Sequence, residues 1–364
     1  MEHRQGLAAS YQESRERFLD AARAAGASIH SWPHPMTGID GEELAVDVAV
    51  LGPSDATAVL LVVSGTHGVE GFTGSALQHR WLTARAAELP AGVRVVLLHA
   101  FNPYGFSWVR RVNEDNVDLN RNFVDWEQPP PANEDYGGIA HLLVPDRWDD
   151  DTQQSTTLQL LAYAEEVGFA RLQEVVSGGQ YTHPTGIFHG GSGPVWSHRW
   201  LRAHLPELVG GATTLVIVDL HTGLGPWGHG ELISHEGRDD PGYQRGCEWW
   251  GDVRSMRDGE SVSANLTGDW LAAVGSMVPG VEVTAVALEY GTVDTISVLQ
   301  ALRADAVLHA SGAERHDGAD TVRAQVRAAF ADDDPAWFDA VGARFDEVIT
   351  ATLTHMVPSG ADTP

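Results

Sequence analysis

Three short apolar runs set the frame into which this chain can fold. Ala58-Val59-Leu60-Leu61-Val62-Val63, Val93 to His99 and Thr214 to Leu220 are strand-sized and show little alternation between polar and apolar positions. Such runs are strands covered on both faces, the condition of a parallel sheet held between helices. Ala45 to Leu51 and Val281 to Leu288 read as further strands. Leu7 to Ala25, Gly74 to Ala87, Leu158 to Val176, Val293 to Ala310 and Pro335 to Met356 read as helices. The alternation specifies an α/β sandwich.

Although 364 residues would permit two domains, no Gly/Ser-rich or Pro-rich linker separates two patterned halves, and no internal repeat occurs. A single domain over residues 1–364 is expected. Two stretches break the α/β rhythm: residues 124–151, acidic and carrying Pro129-Pro130-Pro131, and residues 236–269, rich in charge, Gly and Trp. Both are expected to be inserted surface loops or lids, and Pro358 to Pro364 to fray. Met1 to Gln5 lead into a charged amphipathic stretch without the apolar core of a secretion signal, and no apolar run reaches the length of a membrane span. A cytoplasmic protein without a membrane partner is expected.

Charge and composition exclude several chemistries. Twenty-three basic residues stand against 50 acidic ones, for a net charge of -27, a field that repels nucleic acid and anionic lipid. Every basic residue is arginine. Without a lysine, neither a Schiff-base mechanism nor a phosphate-binding P-loop can be written. Cys247, the one cysteine, rules out intrachain disulfides and cysteine-rich metal sites.

The chemistry stands where the strands end. The run 58–64 empties into Gly65-Thr66-His67-Gly68-Val69-Glu70-Gly71, an imidazole and a carboxylate three residues apart where α/β sheets build their sites. Such a pair can hold one divalent ion, and zinc suits its N and O donors. Taken alone, His-x-x-Glu is as readily a loop histidine bonded to a nearby carboxylate. The strand Leu215 to Leu220, however, delivers His221 to the same kind of position. Two imidazoles and a carboxylate leave one tetrahedral position open, as a catalytic zinc requires. The strand Val283 to Leu288 ends in Glu289-Tyr290-Gly291, a carboxylate able to accept a proton from water.

Between these motifs lies Arg110-Arg111-Val112-Asn113-Glu114-Asp115-Asn116-Val117-Asp118-Leu119-Asn120-Arg121-Asn122-Phe123. With His-x-x-Glu before it and a strand-borne His and Glu after it, Asp-Leu-Asn-Arg-Asn-Phe resembles the zinc carboxypeptidase superfamily, which includes the aspartoacylase and succinylglutamate desuccinylase deacylases. Over its whole length the chain resembles an uncharacterised bacterial branch of unknown function. The resemblance implies a mixed, mainly parallel sheet flanked by helices, the phosphorylase/hydrolase-like fold. It implies one Zn2+ per chain on His67, Glu70 and His221, with Glu289 as general base and then acid. It further implies Arg111, with Arg110 as alternative, on the scissile carbonyl, Asn120 and Arg121 gripping a substrate carboxylate, and Asp118 orienting His67. A bidentate guanidinium suits that grip. No motif matches the tyrosine that closes over substrate in digestive-type carboxypeptidases; Tyr243 and Tyr290 are the candidates.

Other signals have plainer readings. Gly223-Leu224-Gly225-Pro226-Trp227-Gly228 has dinucleotide-fingerprint spacing, but Gly228-His229-Gly230-Glu231-Leu232-Ile233 reads as extended chain, not a helix. Gly-x-Ser-x-Gly is absent from the sequence. His183, His189, His229 and His235, and Trp227 and the Trp249-Trp250 pair, could border a cleft, though surface positions or packing explain them as well. The expected function is zinc-dependent amide hydrolysis, carboxypeptidase-like, on a small peptide or amino-acid conjugate with a free carboxylate. The alternatives are an N-acyl amino acid deacylase, or a metal-free carboxylate-binding protein, which metal content separates.

Overall fold

The computed structural model describes residues 6–86, 89–263 and 266–356. Eight strands form one sheet in the order β1-β2-β4-β3-β5-β8-β6-β7. They are β1 (Ser28–Thr37), β2 (Glu43–Leu51), β3 (Ala58–Val63), β4 (Val93–His99), β5 (Thr214–Trp227), β6 (Gly230–Ser234), β7 (Val253–Ser255) and β8 (Glu282–Gly291). The four central strands, β4, β3, β5 and β8, run parallel; β1 pairs antiparallel with β2, β2 with β4 and β6 with β8, while β7 runs parallel to β6. The mixed, mainly parallel sheet is therefore as expected.

Twelve helices accompany it among the described residues: α1 (Tyr11–Ala24), α2 (Gly71–Ala84), α3 (Pro103–Ser107), α4 (Tyr136–Leu143), α5 (Asp150–Val167), α6 (Phe169–Ser177), α7 (Trp196–Val209), α8 (Pro241–Trp250), α9 (Trp270–Met277), α10 (Thr295–Ala310), α11 (Ala319–Phe330) and α12 (Pro335–His355). The apolar strands alternate between two cores. Leu60, Val62, Val216 and Val218 face a cluster built with Phe18, Trp81, Trp337 and Phe345 from α1, α2 and α12. Val59, Leu61, Leu215 and Ile217 face Leu205, Trp270 and Val274 from α7 and α9. A third cluster lies among α3–α6, α10 and α11.

Several expectations are corrected. Residues 124–151 contain α4 and the start of α5, and residues 236–269 contain α8 and β7, so neither stretch is a simple loop. The helix expected over 158–176 begins at Asp150, capped by Asp149, and is broken at Gly168, whose φ of 93° lies in the left-handed region. The 223–228 glycines lie on the extended end of β5 and the turn beyond it, so they open no helix. The readings of residues 1–5, 87 and 358–364 lie outside the described residues. Among those described, no helix is long and apolar enough to cross a membrane.

The connections make β3 and β5 a switch point. From β3 the chain passes through α2 to β4 on one side, then crosses back to β5 on the other. A crevice opens beyond the carboxyl ends of two such strands, and both histidine motifs stand there.

Candidate metal centre

After β3 the chain turns at Gly65, with φ of 68°, and presents His67 before a single 3-10 turn, Gly68–Glu70. That turn is docked on the arginine segment through Gly68 N–H to Arg111 O at 3.0 Å and Val69 N–H to Arg110 O at 2.8 Å. A Cβ on Gly68 would fall 2.0 Å from the Gly105 carbonyl carbon, so only glycine allows this approach. The docking brings Arg111 over Glu70. On the neighbouring strand, His221 is in register with Glu289 across the β5–β8 ladder, so both side chains leave one face of the sheet.

His67, Glu70 and His221 converge, all buried, each with a donor atom within 4.8 Å of the others. Nδ1 of His67 lies 2.8 Å from Glu70 Oε1, Nδ1 of His221 lies 2.8 Å from Glu70 Oε2, and the two Nδ1 atoms are 3.2 Å apart. The outward nitrogens also meet carboxylates: His67 Nε2 donates to Asp118 Oδ1 at 3.1 Å, and His221 Nε2 to Asp219 Oδ2 at 2.7 Å. A carboxylate only accepts, so each Nε2 donates outward, and a cation among the three residues would take the place of the protons that the Nδ1 atoms otherwise share with Glu70. Two imidazole nitrogens and a carboxylate converging on one point are a cation's donor set. Donors at ~2.0–2.1 Å from a tetrahedral zinc ion lie roughly 3.3 Å apart. The residues therefore fit zinc.

The same closeness shifts the acid–base balance of the groups. Burial opposes charge on Glu70, yet both imidazoles hold its carboxyl well below the usual range. Burial would lower His221, but Asp219 and Glu70 raise it well above an ordinary histidine. Glu289 goes the other way: burial first, then the Glu70 charge, push it up to about 7. Its Oε1 accepts from Leu224 N–H at 3.0 Å.

Around this centre opens a cavity of about 680 Å³, lined by His67, His221, Glu289, Arg111, Asn120 and Arg121 together with many apolar side chains. Arg111 donates through Nε to Asp118 Oδ2 at 3.0 Å and through Nη1 to Glu70 Oε1 at 3.1 Å. Those bonds leave Nη2 for a ligand. Arg121 is 1% exposed, and among the described residues its guanidinium donates to carbonyls: Ser177 O at 3.1 and 2.5 Å and Asn120 O at 3.0 Å. Burial and the neighbouring Arg111 charge lower its proton affinity despite Asp118, and among the described residues no carboxylate pairs with it. Asn120 Oδ1 is buried without a partner.

Not every candidate belongs here. Arg110 is buried against Asp305 at 2.9 Å and Asn116 at 2.9 Å and does not line the cavity. The Tyr243 hydroxyl bonds to Val253 O, and Tyr290 is buried in the core; neither lines the cavity. Trp249 and Trp250 pack against each other and α12, and Trp227 bonds Asp332. His235 does border the cavity, its Nε2 3.1 Å from Asp269 Oδ2, whereas His183, His189 and His229 do not.

Sequence patterning misses two contributors. Phe188, with φ of 54°, sets its ring 5.4 Å from the Arg111 guanidinium and 5.3 Å from that of Arg121. Asp219 accepts from His221, from Trp270 Nε1 at 2.7 Å and from Thr66 Oγ1 at 2.7 Å. A carboxylate inside an otherwise apolar strand, two residues before a strand-end histidine, is the available signal. Asp219→Asn would put an amide N–H against one of those donors. It is expected to weaken zinc binding about 10–100-fold in a chelator competition titration; unchanged affinity would remove Asp219 from the support of the site.

Residues 7–344 match the family model described as a protein of unknown function, DUF2817. No curated protein matches the chain. Among solved structures it is similar to carboxypeptidase A from Helicoverpa armigera, at 12% identity and a TM-score of 0.45, covering 88% of this chain and 73% of that one. Bovine thrombin-activatable fibrinolysis inhibitor, in complex with tick carboxypeptidase inhibitor, gives 9% identity, a TM-score of 0.46 and coverage of 95% and 96%. An aspartoacylase family protein from Mesorhizobium loti gives 15%, 0.41, and coverage of 79% and 67%.

Proposed function

The chain belongs to the DUF2817 family, and from its site we propose that it hydrolyses an amide bond, with one zinc ion, in a small substrate bearing a free carboxylate. The observation that carries this reading is the buried His67–Glu70–His221 cluster, its imidazoles oriented by Asp118 and Asp219. Bound there, zinc supplies the Lewis acidity that makes water nucleophilic near neutral pH and draws charge from a carbonyl oxygen. Glu289, one strand from His221, takes the proton from the attacking water and delivers it to the departing amine. The free Nη2 of Arg111 donates to the carbonyl oxygen as negative charge develops.

Arg121 and Asn120 select the substrate. A buried guanidinium that touches no carboxylate among the described residues is costly unless an anion completes it. A carboxylate does so with charge-assisted hydrogen bonds, and Asn120 adds a side-chain amide beside it. The remainder of the substrate lies across Glu289.

Arg121→Ala tests this assignment. Losing hydrogen bonds to a charged group, about 1.5–3 kcal/mol, is expected to raise KM roughly 10–150-fold for N-acyl amino acids and dipeptides with a free carboxylate. Their C-terminal amides, poor substrates from the start, should change little. Equal losses for both series would remove Arg121 from carboxylate recognition.

A further inference from the structure

The cavity is larger and more apolar than a small polar conjugate requires. Its volume of about 680 Å³ falls in the range that encloses ligands well beyond an acetylated amino acid. One wall is formed by α5, α6 and α10, with Leu160, Leu172, Val176 and Leu299 facing inward. Seven large hydrophobic side chains stand exposed among the described residues, and four of them, Leu161, Phe169, Val293 and Ile296, belong to this cavity. Phe169 is 67% exposed and Ile296 63%. On a chain of net charge -27, an apolar rim gathered at one opening marks a binding surface.

Several polar groups of that wall are already engaged. Arg303 donates to Leu142 O, Leu143 O and Thr156 Oγ1. Gln300 and Thr157 bond each other and the same guanidinium. Asp294 caps α10 through Ile296 N–H and Ser297 N–H. A peptide laid along this wall would find few partners for its backbone N–H and C=O groups among the apolar side chains, whereas a hydrocarbon chain asks for none.

We propose that the α5–α6–α10 wall holds the hydrocarbon chain of an N-acyl amino acid whose carboxylate meets Arg121 and whose amide lies at Glu289. The assignment rests on the amide-hydrolase reading and names its substrate class. Water adds its oxygen to the acyl carbon, the C–N bond breaks, and the products are a fatty carboxylate and a free amino acid whose amine has taken the proton carried by Glu289.

The test uses zinc-loaded protein with acetyl, hexanoyl and decanoyl derivatives of glycine, leucine and aspartate, and titration of the same compounds into the Glu289→Gln variant. For each head group turned over, kcat/KM is expected to rise about fourfold per added methylene until the wall is filled, with Kd on the variant falling in parallel. Phe169→Ser and Ile296→Ser, changes at exposed positions, should each reduce the decanoyl-to-acetyl ratio. Acetyl compounds cleaved as well as decanoyl ones would overturn the chain-binding wall and leave amide hydrolysis standing, as would a preference for apolar dipeptides. Neither hydrolysis nor binding of any compound would overturn both. A dimer that Phe169→Ser dissolves in sedimentation, with chain length without effect, would assign the rim to self-association and overturn the proposal.

Discussion

Glu289→Gln is expected to lower kcat by about 10²–10⁴-fold while zinc content and thermal midpoint stay close to those of the parent protein. The substitution keeps shape and volume, and a glutamine Oε1 can still accept from Leu224 N–H as Glu289 does at 3.0 Å. What it removes is the ability to hold a proton between the attacking water and the leaving amine. Glu289 is not among the converging donor atoms of His67, Glu70 and His221, so metal retention and turnover separate in this variant. Near-parental turnover would take the general-base role from Glu289 and move it to another group in the cavity.

His67→Ala is the second large effect, and it acts on metal and fold together. The substitution removes one of three donors and leaves Asp118 Oδ1 and Glu70 Oε1 without the imidazole each now contacts. Arg111 still pairs with both carboxylates, so the loss is that of two charge-assisted hydrogen bonds and the buried ring, about 2–4 kcal/mol. Stoichiometric zinc and hydrolysis should both be lost, with a lowered unfolding midpoint, read by elemental analysis and denaturant titration. A variant that kept one zinc per chain would place the ion elsewhere.

Much of the site is legible in the sequence because its residues sit where an apolar strand stops. In β3 and β5 the buried runs are largely apolar up to the carboxyl end, so His67 and His221 stand out against their own strands. The helix following β3 and the strand position of Glu289 come from the same contrast. β1 escapes a sequence reading for the opposite reason. It is an exposed edge strand carrying Pro33 and Pro35, and proline is tolerated at an edge where its missing N–H faces no partner, so neither apolar run nor alternation marks it. The start of α5 is hidden because Asp149, Asp150 and Asp151 have the composition of an acidic loop, although a capping aspartate followed by acids in the first turn is a helix start.

The arginines show where local pattern stops. Arg110 and Arg111 are adjacent and chemically equal in the sequence. Their separation into a buried ion pair with Asp305 and a cavity-facing donor depends on a partner 195 residues away on α10. Phe188 is legible only once its backbone brings it between two guanidiniums distant from it in the chain. The apolar wall of the cavity comes from α5, α6 and α10, whose side chains read in sequence as ordinary helix faces.

The central claim, that the His67–Glu70–His221 cluster holds a working zinc ion, is tested most directly by elemental analysis of the protein as purified, coupled to hydrolysis of the N-acyl amino acid panel before chelation, after chelation and after zinc is restored. One zinc per chain is expected, with activity lost when the metal is removed and recovered on its return. Metal-free protein whose hydrolysis is absent and stays absent on adding zinc, or an activity indifferent to chelation that strips the metal, would contradict it.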